Sequence, residues 1–199
     1  MKLGILGGTF NPVHTGHLIL AENAYDQLGL DEVCFIPSGV SYLKDTSVIA
    51  PAKDRLAMVS LAIEGNPHFS LSTIETDREG DSYTYETLME LKEKDPSCEL
   101  FFICGADILM SIGTWKKPEK IFELCELVVA PRDEKSITEL KEKVSELEKT
   151  YDARIRLLHT TDLAISSRML RERLKDNKSV RYYLPEKVMG YIKEHKLYI

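Results

Sequence analysis

Only one tryptophan and four cysteines occur among the 199 residues. Cys34, Cys98, Cys104 and Cys125 lie 64, 6 and 21 positions apart, and none belongs to a Cys-x-x-Cys pair. That spacing argues against a zinc site and offers no disulfide framework. Free thiols, buried or half-buried in a reducing cytoplasm, are the expectation. No apolar run approaches the roughly 20 residues of a membrane-spanning helix, and Met1-Lys2-Leu3-Gly4 opens no signal-peptide pattern. A cytoplasmic protein without a membrane partner is expected. Basic excess is missing too: 26 Lys and Arg against 32 Asp and Glu give a net charge of −6, which argues against nucleic acid as a partner. It leaves small anions open, because a cleft's local field outweighs the total. Neither common phosphate fingerprint, G-x-G-x-x-G or G-x-x-x-x-G-K-[ST], is found. Internal repeats, low-complexity tracts and linkers are absent as well.

What is present is ordinary globular composition, 43% hydrophobic and 29% charged, and the length suits one domain over 1–199 with a sizeable core. Short apolar runs alternate with segments of helical periodicity. Strands are expected at 2–6, 32–37, 68–76, 98–107, 126–131 and 154–160. Helices are expected over 16–28 (stopped by Gly29), 54–65 (ended by Gly65), 82–94 (opened by Ser/Thr caps), 118–125, 136–150, 166–175 and 184–198, with 166–197 packed on the core. The run "CELFFICGAD" (98–107) is the most continuous apolar stretch and reads as a central strand. Residues 38–52 read as a loop. Such alternation implies an α/β fold with a doubly wound, mostly parallel sheet. Ligands of such sheets bind beyond the strands' carboxyl ends.

The stretch "GILGGTFNPVHTGHL" (4–18) sits at one such end. Backbone N–H groups of Gly7, Gly8, Thr9 and Phe10 can approach a ligand closely, since two of these residues lack side chains. With a helix starting near Thr15, His14 and His17 share one face at its N-terminus, where phosphate is the natural guest. Gly16 between them leaves room for a nucleotide. A glycine pair alone often makes only a turn, and a lone histidine is usually structural; the whole string between strand and helix is more specific. Near the other end, "ISSRMLRERL" (165–174) offers Ser166 and Ser167 as cap and phosphate donors, with Arg168 and Arg171 three apart. Alone, this would be a capped surface helix with solvated arginines. Arg55 and Arg132 either approach phosphate or make structural ion pairs.

"GGTFNPVHTGHL" resembles the first motif of the HxGH nucleotidyltransferases, and within them it is most similar to the nicotinate-nucleotide adenylyltransferases. "ISSRMLRERL" resembles the ISSTxIR motif of the same family, and the motifs follow the family's order over nearly the whole chain. The resemblance implies a Rossmann-like nucleotidyltransferase fold. It further implies adenylyl transfer from ATP to nicotinate mononucleotide, giving nicotinate adenine dinucleotide and pyrophosphate in NAD biosynthesis, with Mg2+ arriving on ATP. His17 is expected at the α-phosphate transition state, His14 at phosphate orientation, and Arg171 with Ser166 and Ser167 at the β- and γ-phosphates. In "SYTYETL" (82–88) and "GADILMSIGTW" (105–115), the resemblance implies that Gly105 and Asp107 contact the nucleotide. It also implies that Trp115 stacks on the pyridine ring and that backbone near Thr84 reads its carboxylate. Beside Trp115, Lys116 is a candidate partner of that carboxylate or a solvated lysine. In "FIPSGVSYLKD" (35–45), Lys44 matches the lysine of the family's Pro-Pro-His-Lys loop, while Leu43 stands in place of its histidine.

Two competitors remain at this point: another HxGH adenylyl- or cytidylyltransferase, such as one acting on phosphopantetheine, and a non-catalytic nucleotide-binding module. A homo-oligomer is left open.

Overall fold

The computed structural model describes residues 1–39, 49–131, 137–160 and 164–198. Six strands form the sheet: β1 Lys2–Gly8, β2 Glu32–Pro37, β3 Phe69–Leu71, β4 Glu99–Gly105, β5 Cys125–Ala130 and β6 Ile155–Leu157. Their order is β3-β2-β1-β4-β5-β6, the arrangement of doubly wound dinucleotide-binding folds. β1 pairs β4, β4 pairs β5 and β5 pairs β6, all parallel. The order reverses between β1 and β4, as a doubly wound sheet requires. The expected α/β class and parallel sheet are therefore present.

Eight α-helices lie among the described residues: α1 Thr15–Leu28, α2 Ala52–Ile63, α3 Thr84–Lys94, α4 Ala106–Ser111, α5 Pro118–Leu124, α6 Ile137–Tyr151, α7 Ser167–Lys175 and α8 Glu186–Glu194. Gly29 (φ 56°) and Gly65 (φ 89°) turn the chain just beyond α1 and α2, in a conformation glycine adopts without a Cβ penalty. Pro118 opens α5 at its first turn, where its missing N–H costs nothing.

The chain forms two compact units. The first comprises Met1–Gly7, Leu20–Cys34 and Tyr83–Leu163. Its centre is β4, whose residues Leu100 to Cys104 are all buried; α4 packs on β4, β5 and α6, and α3 packs on α5. The second comprises Gly8–Ile19, Phe35–Ser82 and Ala164–Ile199. There α8 packs on α2, burying Val188 and Ile192, each worth roughly 1.5–3 kcal/mol against exposure.

Several local expectations shift. The alternating run 68–76 is strand only at Phe69–Leu71 and then turns, because Ser72 leaves the ladder after its N–H bonds Phe35 O. The cap of α3 is Tyr83, which makes no side-chain capping bond; Ser82 Oγ instead donates to Glu75 O. Leu56, Leu91 and Val144, expected inside, are half-buried. Next to Leu56, Asp54 and Arg55 are buried in its stead. The segment after β4 carries α4 and a 3-10 turn at Ile112–Thr114 that periodicity did not reveal. All four cysteines are free and buried, and burial pushes the Cys125 thiol up to about 12.

Candidate active site

The loop after β1 is built on a backbone that short-range preferences oppose. Phe10 takes φ 47°, left-handed space that a bulky residue enters only when its surroundings hold it there. Its ring is almost fully buried, 5.8 Å from the Phe35 ring and edge-on to the His17 imidazole at 5.0 Å. A Cβ on Gly8 would lie 3.3 Å from that ring, so the second glycine of the pair makes room for Phe10. The phenylalanine thus offers packing behind His17, while any ligand contact here falls to backbone.

The carbonyls of Thr9, Asn11 and Pro12 each take a side-chain donor from another segment of the second unit. Arg55 Nη1 donates to Thr9 O at 2.9 Å and its Nε to Ala50 O at 3.1 Å. Arg171 Nη1 donates to Asn11 O at 2.7 Å, and Ser167 Oγ to Pro12 O at 2.8 Å. Asn11 Oδ1 accepts from Ala50 N at 3.0 Å and from the Tyr198 hydroxyl at 2.7 Å. Two guanidinium groups therefore stand against the backbone of one short loop and supply positive field beside it, as an anion site needs. Arg55 is 4% exposed, and its burial lowers its pKa, with Tyr198 acting the other way. Arg55 has a structural part, holding the loop through hydrogen bonds to the Thr9 and Ala50 carbonyls. Arg132 lies outside the described residues, as do Lys44 and Leu43.

His14 and His17 stack with ring centroids 3.7 Å apart and planes 24° from parallel. His14 N–H donates to His17 Nδ1 at 3.2 Å. An Nδ1 that accepts cannot carry the proton, so the neutral His17 ring bears it on Nε2 and presents that nitrogen as a donor. His14 O closes the start of α1 by accepting from the N–H groups of His17 and Leu18. Thr15 N donates to Tyr183 O and Thr15 Oγ1 to Tyr182 O.

The helix start is thus a narrower anion site than the motif alone suggests, since two of its first three N–H groups already bond backbone carbonyls. Gly16 also serves a neighbouring side chain. A Cβ there would sit 3.1 Å from His14 Nδ1 and 3.2 Å from its Cε1. The missing side chain makes room for the His14 ring.

At α7, Ser166 is the N-cap and its Oγ accepts from Met169 N at 3.2 Å. Its hydroxyl proton remains available to a phosphate oxygen. Ser167 is different: its proton is given to Pro12 O, which leaves its hydroxyl only lone pairs. Arg168 is exposed and pairs with Glu172 at 3.0 Å. Arg171 has spent one of five N–H donors and keeps the rest of its fork. His14, His17, Arg171, Ser166, Ser167, Gly8, Thr9 and Phe10 consequently all belong to the second unit, with α7 bonded to the loop before His14.

Gly7, Thr84, Gly105, Asp107, Trp115 and Lys116 belong to the first unit. Gly7 ends its first segment, where a Cβ would meet Phe102 at an ordinary 3.5 Å. Gly105 ends β4 and caps α4, Asp107 is exposed in that helix's first turn, and Thr84 begins α3. Trp115 is half-buried after the 3-10 turn, edge-on to Phe102 at 6.4 Å. Lys116 Nζ lies 3.9 Å above the Tyr83 ring and Lys117 Nζ 4.6 Å above the Tyr85 ring. Lys116 is exposed, and its ammonium makes a cation–π contact with the Tyr83 ring. Among the described residues, no group of three or more His, Cys, Asp or Glu side chains could hold a metal ion. No described helix is long and apolar enough to cross a membrane.

Asn11, Asp54, Tyr191 and Tyr198 were not singled out from the sequence. Tyr191 OH donates to Asp54 Oδ1 at 2.9 Å, tying α8 to α2 beside Arg55. Only the buried polar pair Asp54-Arg55 on an otherwise apolar helix face could have signalled this support.

Residues 5–173 match the cytidylyltransferase-like family. The chain is 46% identical over 198 residues to the protein of Lachnoclostridium phytofermentans named probable nicotinate-nucleotide adenylyltransferase, covering 100% of this chain and 99% of that one. A Dehalococcoides mccartyi protein of the same name is 46% identical over 202 residues, covering 100% and 97%. Among solved structures, Plasmodium falciparum nicotinic acid mononucleotide adenylyltransferase complexed with NaAD superposes with TM-score 0.81 at 19% identity, over 99% of this chain and 97% of that one. The same protein complexed with APC gives 0.80 at 19% identity, over 99% and 96%. At that identity the structural likeness speaks for the fold.

Proposed function

We infer that the chain, which belongs to the cytidylyltransferase-like family and within it to the nicotinate-nucleotide adenylyltransferases, transfers the adenylyl group of ATP to nicotinate mononucleotide. A 5′-phosphate oxygen of the mononucleotide attacks the α-phosphorus of ATP. The new O–P bond forms as the bond to the β-phosphate oxygen breaks, and pyrophosphate leaves with that electron pair. The products are nicotinate adenine dinucleotide and pyrophosphate. The attacking phosphate is already an anion, so no protein nucleophile is needed, and catalysis consists of placement and charge stabilisation. ATP enters with Mg2+ as part of the substrate.

The observation that carries this reading is the tie between the His14–His17 stack and α7 through one loop. His17 is assigned to the α-phosphate, because its Nδ1 bond to His14 N–H commits Nε2–H to donation. His14 orients the phosphates and the His17 ring. Arg171 is assigned to the β- and γ-phosphates, together with the Ser166 hydroxyl and the N–H groups opening α7; Ser167 serves mainly by holding α7 on Pro12. Backbone of Gly7, Gly8 and Thr9 accommodates the nucleotide, and Phe10 backs His17.

For the pyridine nucleotide the proposal rests on the motif resemblance, with Gly105 and Asp107 on the nucleotide, Trp115 on the ring, and Thr84 backbone at the carboxylate. Lys116, aimed by Tyr83, adds a positive charge for the carboxylate and favours the acid over the amide. Lys44 is assigned to the mononucleotide phosphate. The test is product identification: ATP with nicotinate mononucleotide should yield the dinucleotide and pyrophosphate in equal amounts. Pyrophosphate without dinucleotide, or no turnover from folded protein, would overturn the reading.

A further inference from the structure

Tyr198 lies beyond α8, far along the chain from the His14–His17 motif, yet its hydroxyl donates to Asn11 Oδ1 at 2.7 Å. The same oxygen accepts Ala50 N, and the carbonyl of Asn11 accepts Arg171. Asn11 is 4% exposed and sits between Phe10, with its left-handed backbone, and Pro12, whose carbonyl takes Ser167. One residue thus gathers the approach to α2, the guanidinium of α7 and the turn after α8. Tyr198 itself adopts φ 64°, which an aromatic residue holds only where its surroundings impose it. Burial raises the pKa of its phenol, while Arg171 and Arg55 draw it down, so the hydroxyl keeps its proton at neutral pH and remains a donor.

We propose that Tyr198 is a positioning residue for the adenylyl transfer inferred above, setting the loop through Asn11 so that Arg171 and the imidazoles meet the same polyphosphate. Small displacements of reacting groups cost rate more than ground-state affinity, which separates this role from a general contribution to folding. Arg171 keeps its phosphate-binding fork when Tyr198 is altered, so ATP should still bind.

The experiment compares wild type, Tyr198→Phe, Asn11→Ala and the double variant for kcat, KM for ATP and melting temperature. Tyr198→Phe should lower kcat by about 10-fold, short of the roughly 100-fold that a 1 Å misplacement can cost. KM for ATP should move by less than about 2-fold, as expected when only transition-state placement suffers. The double variant should be no slower than Asn11→Ala alone, since Tyr198 acts through the Asn11 amide that Asn11→Ala already removes. A Tyr198→Phe kcat within about 2-fold of wild type, multiplying losses in the double variant, or a loss that tracks the unfolded fraction would each overturn the proposal. An inactive wild type would overturn the functional reading itself; an active wild type beside an unaffected Tyr198→Phe overturns only the positioning role.

Discussion

Replacing His17 by alanine removes the Nε2–H donor assigned to the α-phosphate, together with three local contacts. These are the Nδ1 acceptor for His14 N–H, the stack on His14 and the edge contact with Phe10. Loss of one preorganised donor at a developing oxyanion costs about 100- to 1000-fold in kcat, or about 2.7–4 kcal/mol. The two ring contacts are worth about 0.5–1.5 kcal/mol each. For a chain of this size that lowers melting by roughly 10 °C at most, so the variant should remain folded in the assay. His17→Asn separates the two consequences: its amide oxygen can still accept from His14 N–H, but no donor reaches the Nε2 position. Pyrophosphate release under saturating ATP and nicotinate mononucleotide should therefore fall by about 100-fold or more in both variants, with His17→Asn the more stable. Folded His17→Ala turning over within threefold of wild type would refute the reasoning.

Gly16→Ala should lower kcat while adding less to stability than the roughly 1 kcal/mol alanine normally gains over glycine in a helix. The new Cβ presses on His14 at 3.1 Å, and full activity with a raised melting temperature would contradict that. Lys116→Ala should shrink the preference for nicotinate over nicotinamide mononucleotide, read as the ratio of kcat/KM, by roughly 10-fold if one charge-assisted contact is lost; an unchanged ratio would remove Lys116 from specificity. Arg55→Ala deletes the donor to Thr9 O and Ala50 O. Leaving the buried Ala50 carbonyl without its donor costs roughly 1–3 kcal/mol, so denaturant melts should show a loss of stability, and an unaltered midpoint would show that the loop does not need this arginine.

Periodicity and glycine-proline punctuation were enough to place β2 at its observed bounds and to centre the sheet on the 98–107 run, because burial on both faces leaves a continuous apolar signature. Short elements were not visible. α4 spans six residues, less than two turns, and carries no period to detect. Serine preceding a helix is an ambiguous sign: Ser166 caps α7, whereas Ser82 bonds a neighbouring loop and leaves α3 uncapped. At the site, the types and spacing of His14, His17 and Arg171 pointed to phosphate chemistry. Which hydroxyls and N–H groups are already committed depends on residues distant in sequence. Ser167 meets Pro12, Thr15 meets Tyr183 and Tyr198 meets Asn11, and no local pattern encodes such pairings. Gly16 shows the same limit, since its lack of a side chain was legible and the neighbour that needs the space was not.

The most direct measurement follows pyrophosphate release from ATP with nicotinate mononucleotide, nicotinamide mononucleotide and phosphopantetheine in parallel. The account predicts the largest kcat/KM with nicotinate mononucleotide, a weaker response to its amide, and none to phosphopantetheine. Faster turnover with phosphopantetheine, or no acceptor-dependent release at all from folded protein, would contradict it.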